Sequence, residues 1–491
     1  MTTESTPHRE TFKSRTLAGV RWSFVEQFGN QFLQFLTTVV LARLLSPADF
    51  GLMSMILVFT GFAALFADFG LGAALIQREQ VRPEHLDSAF WVNIGAGATL
   101  AALIAATSPL IAAVYGEPAL QPLTAFVALS FLFSSSAIVQ RARMAKAMDF
   151  RRLALAAVGA KLVVGSLGIA LALRGLGVWS LAIASVTGSA FTAALLWYWS
   201  DWRPRRRLDR GALLELWGFS SHYFGFQAVN YWLRNADNFL VGKYLGTPAL
   251  GLYTRAYALL LMPVHFGSSL SRVMFPALST IQTNPARVGR VYLRMCQVTA
   301  FVTAPLMFGL FAVAEPFVLV VFGARWAPMV EVLRILCLVG FLQSVGTLVG
   351  NLFLSTGRSD LMFWVGCVTG VLGVVAMVLG LRHGITGVAT YYAAVSLLAF
   401  LPQQHLALRL VGLSVSDLLA KLWRPTSAAA GMGGLVFLLG QQLPSAWPLS
   451  LRLALQVSSG ALLYVSLAHF SGSESYLELR AQLRKRGASE A

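Results

Sequence analysis

The chain has 491 residues, 56% hydrophobic and only 12% charged, with a mean hydropathy of +0.66. A soluble globular chain is about 25% charged, so a shortfall by half along the whole length excludes water as the solvent and makes it lipid. A net charge of +17 raises nucleic acid as a partner, but the placement of the basic residues argues against it.

Taken in order, residues 1–16 form a polar N-terminal segment. The first apolar run follows without a small-residue cleavage site and reads as a retained helix. Apolar runs then recur at 17–43, 49–77, 88–115, 118–141, 153–174 and 177–199. A basic linker, 200–212, contains RPRRRLDR. Further runs follow at 213–243, 248–278, 291–322, 327–354, 360–382 and 385–408. An amphipathic connector at 409–424 precedes runs at 425–442 and 449–470, and a basic tail fills 471–491. Runs of about 20 residues cross a hydrocarbon core of roughly 30 Å as helices, and they are too long for barrel strands. The expected fold is an all-α polytopic membrane protein of about 14 transmembrane helices. They form six-helix bundles at 17–199 and 213–408, plus two C-terminal helices.

With the N-terminus inside, the cytoplasmic segments collect most of the 38 basic residues. Arg78 and Arg82, then Arg141, Arg143 and Lys146, then Arg203 to Arg210 are examples. The outer ends hold only Arg43, Arg174, Lys243, Arg325, Arg382 and Arg452. That bias places both termini in the cytoplasm and accounts for the positive charge without nucleic acid. Cys296, Cys337 and Cys367 all fall within apolar runs, without metal-ligand spacing, and read as small buried hydrophobes.

A weak repeat runs through the chain. VLARLLSPADFGLMSM from position 40 overlays LVGKYLGTPALGLYTR from position 240, with Arg43 on Lys243 and Gly51 on Gly251. Gln27 overlays Gln227 and Asn30 overlays Asn230, and further along the offset drifts to 210. Six spans separate the copies, so both have one orientation, as in a parallel duplication about an axis along the membrane normal.

The duplicated first helices carry matched polar stripes. Gln227, Asn230, Arg234, and Asp237 or Asn238 follow steps of three or four on one face of the seventh helix. Gln27, Asn30, Gln34, Thr37 and Thr38 do the same on the first. Two such stripes are expected to face the axis between the halves and line a mid-membrane cavity. A self-satisfied Arg234–Asp237 pair is the competing expectation. His265, Ser268 or Ser269, and Arg272 share a face of the eighth helix, with Arg255 nearer its outer end. Asp68 occupies the position equivalent to Ser268, and Glu26 precedes the first stripe. Lys161 and Arg334 are the other charges within spans, able to snorkel to an interface. Ionisable groups at that depth are expensive and mark functional paths. The excess of Arg suits an anionic substrate, phosphate above all, because the planar guanidinium donates to it in pairs.

The segments DFGLGAALIQRE (68–79), RNADNFLVGKYLG (234–246), ALGLYTRAYALLLMPVHFGSSLSRVMFPALSTIQ (249–282) and LFLSTGRSDL (352–361) resemble the polysaccharide-exporter branch of the MOP superfamily. The likeness is to Wzx-type flippases of the colanic-acid and teichuronic-acid exporter kind. It implies two six-helix bundles in a V with two added helices, in the bacterial inner membrane. The implied activity is translocation of undecaprenyl-diphosphate-linked oligosaccharide by alternating access, with polymerase and chain-length regulator as partners. On that likeness Arg234, Arg272 and Arg255 would bind substrate, with Asn230, Gln27, Asn30 and Gln34 beside them. Asp68, Asp237, Glu26 and His265 would couple or gate, through a proton or sodium gradient and with no cofactor. A multidrug antiporter would instead carry acidic cavity residues, and a peptidoglycan-precursor flippase shares the fold. A membrane glycosyltransferase or polymerase would need large outer loops or a soluble domain. There is no GxxxxGK[ST] for ATP.

Overall fold

The computed structural model describes residues 29–68, 70–470 and 476–477, with side chains except at 68, 216–226, 229, 266, 268–277 and 279. Glu26 and Gln27 lie outside the described residues, and the side chains of Asp68 and Arg272 lie outside the described side chains.

The described residues are helical, joined by short turns. The helices are α1 (29–44), α2 (Pro47–Asp68), α3 (Leu71–Gln77), α4 (Pro83–Tyr115), α5 (Leu120–Val127), α6 (Ser130–Lys146), α7 (Phe150–Leu173), α8 (Val178–Trp199) and α9 (Arg210–Thr280). Then come α10 (Pro285–Ala312), α11 (Ala314–Val321), α12 (Met329–Gly346), α13 (Val349–Ser355), α14 (Ser359–Gly380), α15 (Gly384–Arg409), α16 (Val415–Gln442) and α17 (Leu449–Phe470). Among the described residues, nine helical stretches are long and apolar enough to span a membrane, and one of these, Ser359–Arg409, holds both α14 and α15. The chain is a multi-pass membrane protein.

Local chemistry sets where these helices begin and break. Ser46 caps α2 in a reciprocal pair with Asp49: Ser46 N–H donates to Asp49 Oδ2 at 2.8 Å, and Asp49 N–H donates to Ser46 Oγ at 3.3 Å. Asp149 accepts from Arg152 N–H at the start of α7, and Asn284 accepts from Arg287 N–H at the start of α10. The expected span 49–77 is two helices because Gly70 takes φ +77 between them. Likewise α9 is broken at Gly246, with φ +83 and ψ −179, and Pro248 opens the helix that follows.

A further element differs from the expected layout. Residues 415–424 do not form a connector separate from the thirteenth span; α16 runs without interruption from Val415 through Pro425 to Gln442. A Ser414–Asp417 capping box starts it. Leu418 and Leu422 are buried in one core with Tyr292, Leu293 and Cys296 of α10, so packing holds this stretch in the helix.

The chain divides into two compact units, Met1–Gly251 and Leu252–Ala491. In the first, α4, α6, α7 and α8 pack on one another, and the linker 200–209 lies along the start of α4. Helix α1 runs parallel to α7 in close approach. A Cβ on Gly165 would lie 2.5 Å from Thr37 Oγ1, and one on Gly168 would lie 3.7 Å from Leu41 Cδ1. Small residues at the contact are what let membrane helices come this near. In the second unit, α10 packs on α12 and α16, α14 on α15, and α16 on α17.

The repeat becomes physical at one place in the first unit. A Cβ on Gly51 would collide with the Thr247 carbonyl, and a Cβ on Gly251 would collide with the Pro47 carbonyl. Residues 200 apart thus meet reciprocally, the relation that an approximate two-fold axis imposes.

Candidate functional site

The polar stripe of α9 has two unlike neighbours around it. On one side the helix is locked to α2: the Tyr231 hydroxyl donates to the carbonyls of Leu57 at 2.9 Å and Val58 at 2.8 Å. Gly61 makes room for it, since a Cβ there would strike the Tyr231 hydroxyl oxygen. Phe62 packs against Tyr231 and Trp232, and Phe239 against Phe59, Tyr115 and Trp232. This aromatic seam is why the first compact unit extends past the basic linker to take in the start of the repeat's second copy.

The other side carries the charge. Arg234 is exposed, and its Nε donates to Asn230 Oδ1, one turn back, at 3.3 Å. Asp237 is buried, and its Oδ1 accepts from the Asn238 N–H at 2.7 Å. The i, i+3 pair of Arg234 with Asp237 is therefore not formed; the guanidinium has a neutral partner. A guanidinium with donors left over and no carboxylate partner among the described residues can receive an anion.

On α1 the stripe meets a cation from elsewhere. Lys161 of α7 donates through Nζ to Gln34 Oε1 at 2.7 Å. Asn30, one turn before Gln34, has a buried Oδ1 with no hydrogen-bond partner among the described residues. So Gln34 and Lys161, expected in separate roles, stand together. Beyond Gly251, Arg255 is partly buried and His265 is exposed.

A second polar constellation, which sequence reasoning missed, lies in the first unit where the turn before α4 meets the linker 200–209 and the start of α9. Glu215 of α9 receives Arg78, Arg82 at 2.8 Å and the buried His85 at 3.2 Å. Arg207 pairs with Glu84 at 2.8 Å, Arg205 N–H donates to the buried Asp87, and Asp209 N–H donates to Ser88 Oγ. Two of the basic residues read as membrane-flanking charge are thus committed to one carboxylate. Asp209 caps the start of α9 through Ala212 N–H at 3.0 Å, which together with nearby Arg207 holds its carboxyl below the usual range. No cluster of three or more His, Cys, Asp or Glu side chains suited to a metal occurs among the described residues.

A family profile described as polysaccharide biosynthesis protein matches residues 40–331, from the end of α1 to the start of α12. The chain belongs to the polysaccharide biosynthesis protein family. Among relatives in that family's field, the teichuronic acid biosynthesis protein TuaB of Bacillus subtilis (strain 168) is 28% identical, over 96% of this chain and 98% of its own. The lipopolysaccharide biosynthesis protein WzxC of Escherichia coli (strain K12) is 26% identical, over 84% and 85%. The succinoglycan biosynthesis transport protein ExoT of Rhizobium meliloti (strain 1021) is 28% identical, over 76% of each chain.

Solved structures show the fold of this family member. The lipid II flippase MurJ in an inward closed conformation superposes with a TM-score of 0.74, covering 92% of this chain and 98% of MurJ, at 15% identity. An inward-facing multidrug MATE transporter of the MOP superfamily gives 0.60, covering 78% and 95%, at 16% identity. The fold is the one seen in MurJ and in this MATE transporter.

Proposed function

We propose that this chain is a flippase, and not an enzyme, that moves an undecaprenyl-diphosphate-linked oligosaccharide across the bacterial inner membrane. The observation that carries the reading is a conjunction: membership of a polysaccharide biosynthesis family on a transporter fold. The exposed Arg234, bonded among the described residues to the neutral Asn230 within an apolar helix, supports an anionic cargo.

In this reading Arg234, Arg272 and Arg255 receive the diphosphate, and Asn230, Gln27, Asn30 and Gln34 contact the sugars. Asp68, Asp237, Glu26 and His265 serve coupling or gating through a proton or sodium gradient. The prenyl tail stays in lipid while the headgroup enters from the cytoplasmic leaflet, and the two repeats exchange access by rocking. Both termini are cytoplasmic, and a polymerase with its chain-length regulator takes the delivered repeat unit.

The test is leaflet-to-leaflet movement of undecaprenyl-diphosphate oligosaccharide in liposomes holding the purified protein, with lipid II as a parallel cargo. Arg234→Ala and Arg272→Ala are each expected to lower transport at least tenfold while the protein stays folded, roughly the effect of losing one charged hydrogen bond. Wild-type rates in both variants would sink the cationic site. Faster movement of lipid II than of the longer glycan would move the cargo to peptidoglycan precursor.

A further inference from the structure

Lys161 lies eleven residues from the first residue of α7 and twelve from the last. At 1.5 Å per residue, that is roughly 17 Å of helix on either side, too far for the side chain to snorkel to an interface. Its setting is also fixed laterally. Val158 meets Gly29, Gly165 meets Thr37 and Gly168 meets Leu41, so α1 and α7 are in contact on both sides of the lysine.

Within this seam the ammonium has one hydrogen bond, to the neutral Gln34 Oε1, and no carboxylate partner among the described residues. A charged group at that depth carries a large desolvation cost that one amide oxygen does not offset. An ammonium has three donors, and here only one is used. Beside it, Gln34 turns its oxygen to the lysine, which leaves its amide N–H groups free to donate. One turn away, Asn30 Oδ1 has no donor among the described residues. Donors for an oxyanion and an empty acceptor for a hydroxyl, side by side, match a sugar phosphate.

The geometry points to Lys161, oriented by Gln34, as an anion-binding residue of the first unit that takes a phosphate of the cargo, with Asn30 accepting from an adjoining sugar hydroxyl. This rests on the flippase reading for the identity of the cargo, though not for the existence of the anion site. It also gives the first repeat a cation that its own stripe lacks. The position equivalent to Lys161 at an offset of 210 is the apolar Val371, so the duplication did not copy this charge.

The experiment compares wild type, Lys161→Met and Lys161→Arg as full chains. It reads half-saturating substrate concentration and maximal rate in phosphatidylcholine liposomes, and binding of inorganic pyrophosphate to the purified protein by calorimetry. Lys161→Met is expected to raise the half-saturating concentration tenfold or more and weaken pyrophosphate equally. Lys161→Arg should stay within threefold of wild type, with the maximal rate kept in both. An unchanged half-saturating concentration in Lys161→Met overturns the assignment, as does a fall confined to the maximal rate. If Lys161→Met does not fold, Lys161→Gln is judged by the same criterion.

If wild type moves no lipid at all, the flippase reading fails by itself, and Lys161 is judged on pyrophosphate alone. Tenfold weaker binding in the methionine variant then supports the anion site, and equal binding removes it. Adding phosphatidylglycerol tests the other source of phosphate. If it competes in wild type and not in Lys161→Met, the lysine serves bilayer headgroups and the cargo assignment is overturned.

Discussion

Helix α1 and the first half of α9 align at an offset of 200, and their polar stripes match at Asn30 and Asn230. Their surroundings differ. The α9 stripe carries its own guanidinium, Arg234, steadied by Asn230, while its flank is bound to α2 through Tyr231. The α1 stripe is neutral and meets a cation brought by another helix, Lys161 of α7. Each copy therefore presents one cation beside amide side chains, reached by different routes. The two aligned stretches share a polar stripe with a positive charge beside it, and they differ in which helix supplies that charge.

Three changes would break or sharpen this comparison, beyond the Arg234 and Lys161 tests above. The largest expected effect is at the point where the copies touch. Gly51→Val and Gly251→Val each force a side chain onto a backbone carbonyl, of Thr247 and Pro47 respectively. Overpacking of this kind costs about 1–3 kcal/mol or more, so both variants should melt well below wild type in detergent. Nearly equal losses would establish that the two copies are equivalent here, whereas a loss in only one would refute the reciprocal contact.

A middle-sized effect is expected at the flank that α1 lacks, because the position equivalent to Tyr231 is Gln31. Tyr231→Phe removes the hydroxyl that reaches Leu57 and Val58 and keeps the ring in its aromatic setting. A loss of about 0.5–1.5 kcal/mol in denaturation is the usual worth of such bonds. Unchanged stability would mean that ring packing alone ties α9 to α2.

The smallest effect concerns how α9 starts. Asp209 has its carboxyl lowered from the ordinary value of 3.8, chiefly by accepting from Ala212 N–H. A depressed carboxylate adds stability that is complete above its unfolded value and is lost as pH falls through the folded one. The melting temperature of Asp209→Asn should therefore lie slightly below wild type at pH 7, and the gap should close below about pH 4. A gap that persists at low pH would show that the cap owes nothing to ionisation.

Much of the fold was legible because hydrocarbon solvent imposes strong rules on sequence. Apolar length marks each span, Gly246 before Thr247 and Pro248 marks the break in α9, and Ser46 with Asp49 marks the start of α2. The candidate site was legible as a set of residue types, since Arg234, Asn230 and Asp237 stand out in an apolar helix. Their partners were not. Helical spacing made Arg234–Asp237 a natural pair, yet side-chain direction sends Arg234 back to Asn230. Gly61 and Gly165 were unremarkable in the sequence, and each turned out to mark where another helix comes close.

By itself, then, the sequence determined the solvent and the helical class, and it showed a weak internal repeat and an excess of Arg within the apolar runs. Those properties follow from composition and period, which act along one helix at a time. Only the tertiary structure decided that Lys161 serves the stripe of α1, that Glu215 gathers Arg78, Arg82 and His85, and that Gly51 meets Gly251. Each joins residues from different parts of the chain, 127 to 200 positions apart. Which residues meet at such separations depends on how closely backbones approach, and in lipid that closeness is set by packing at small residues.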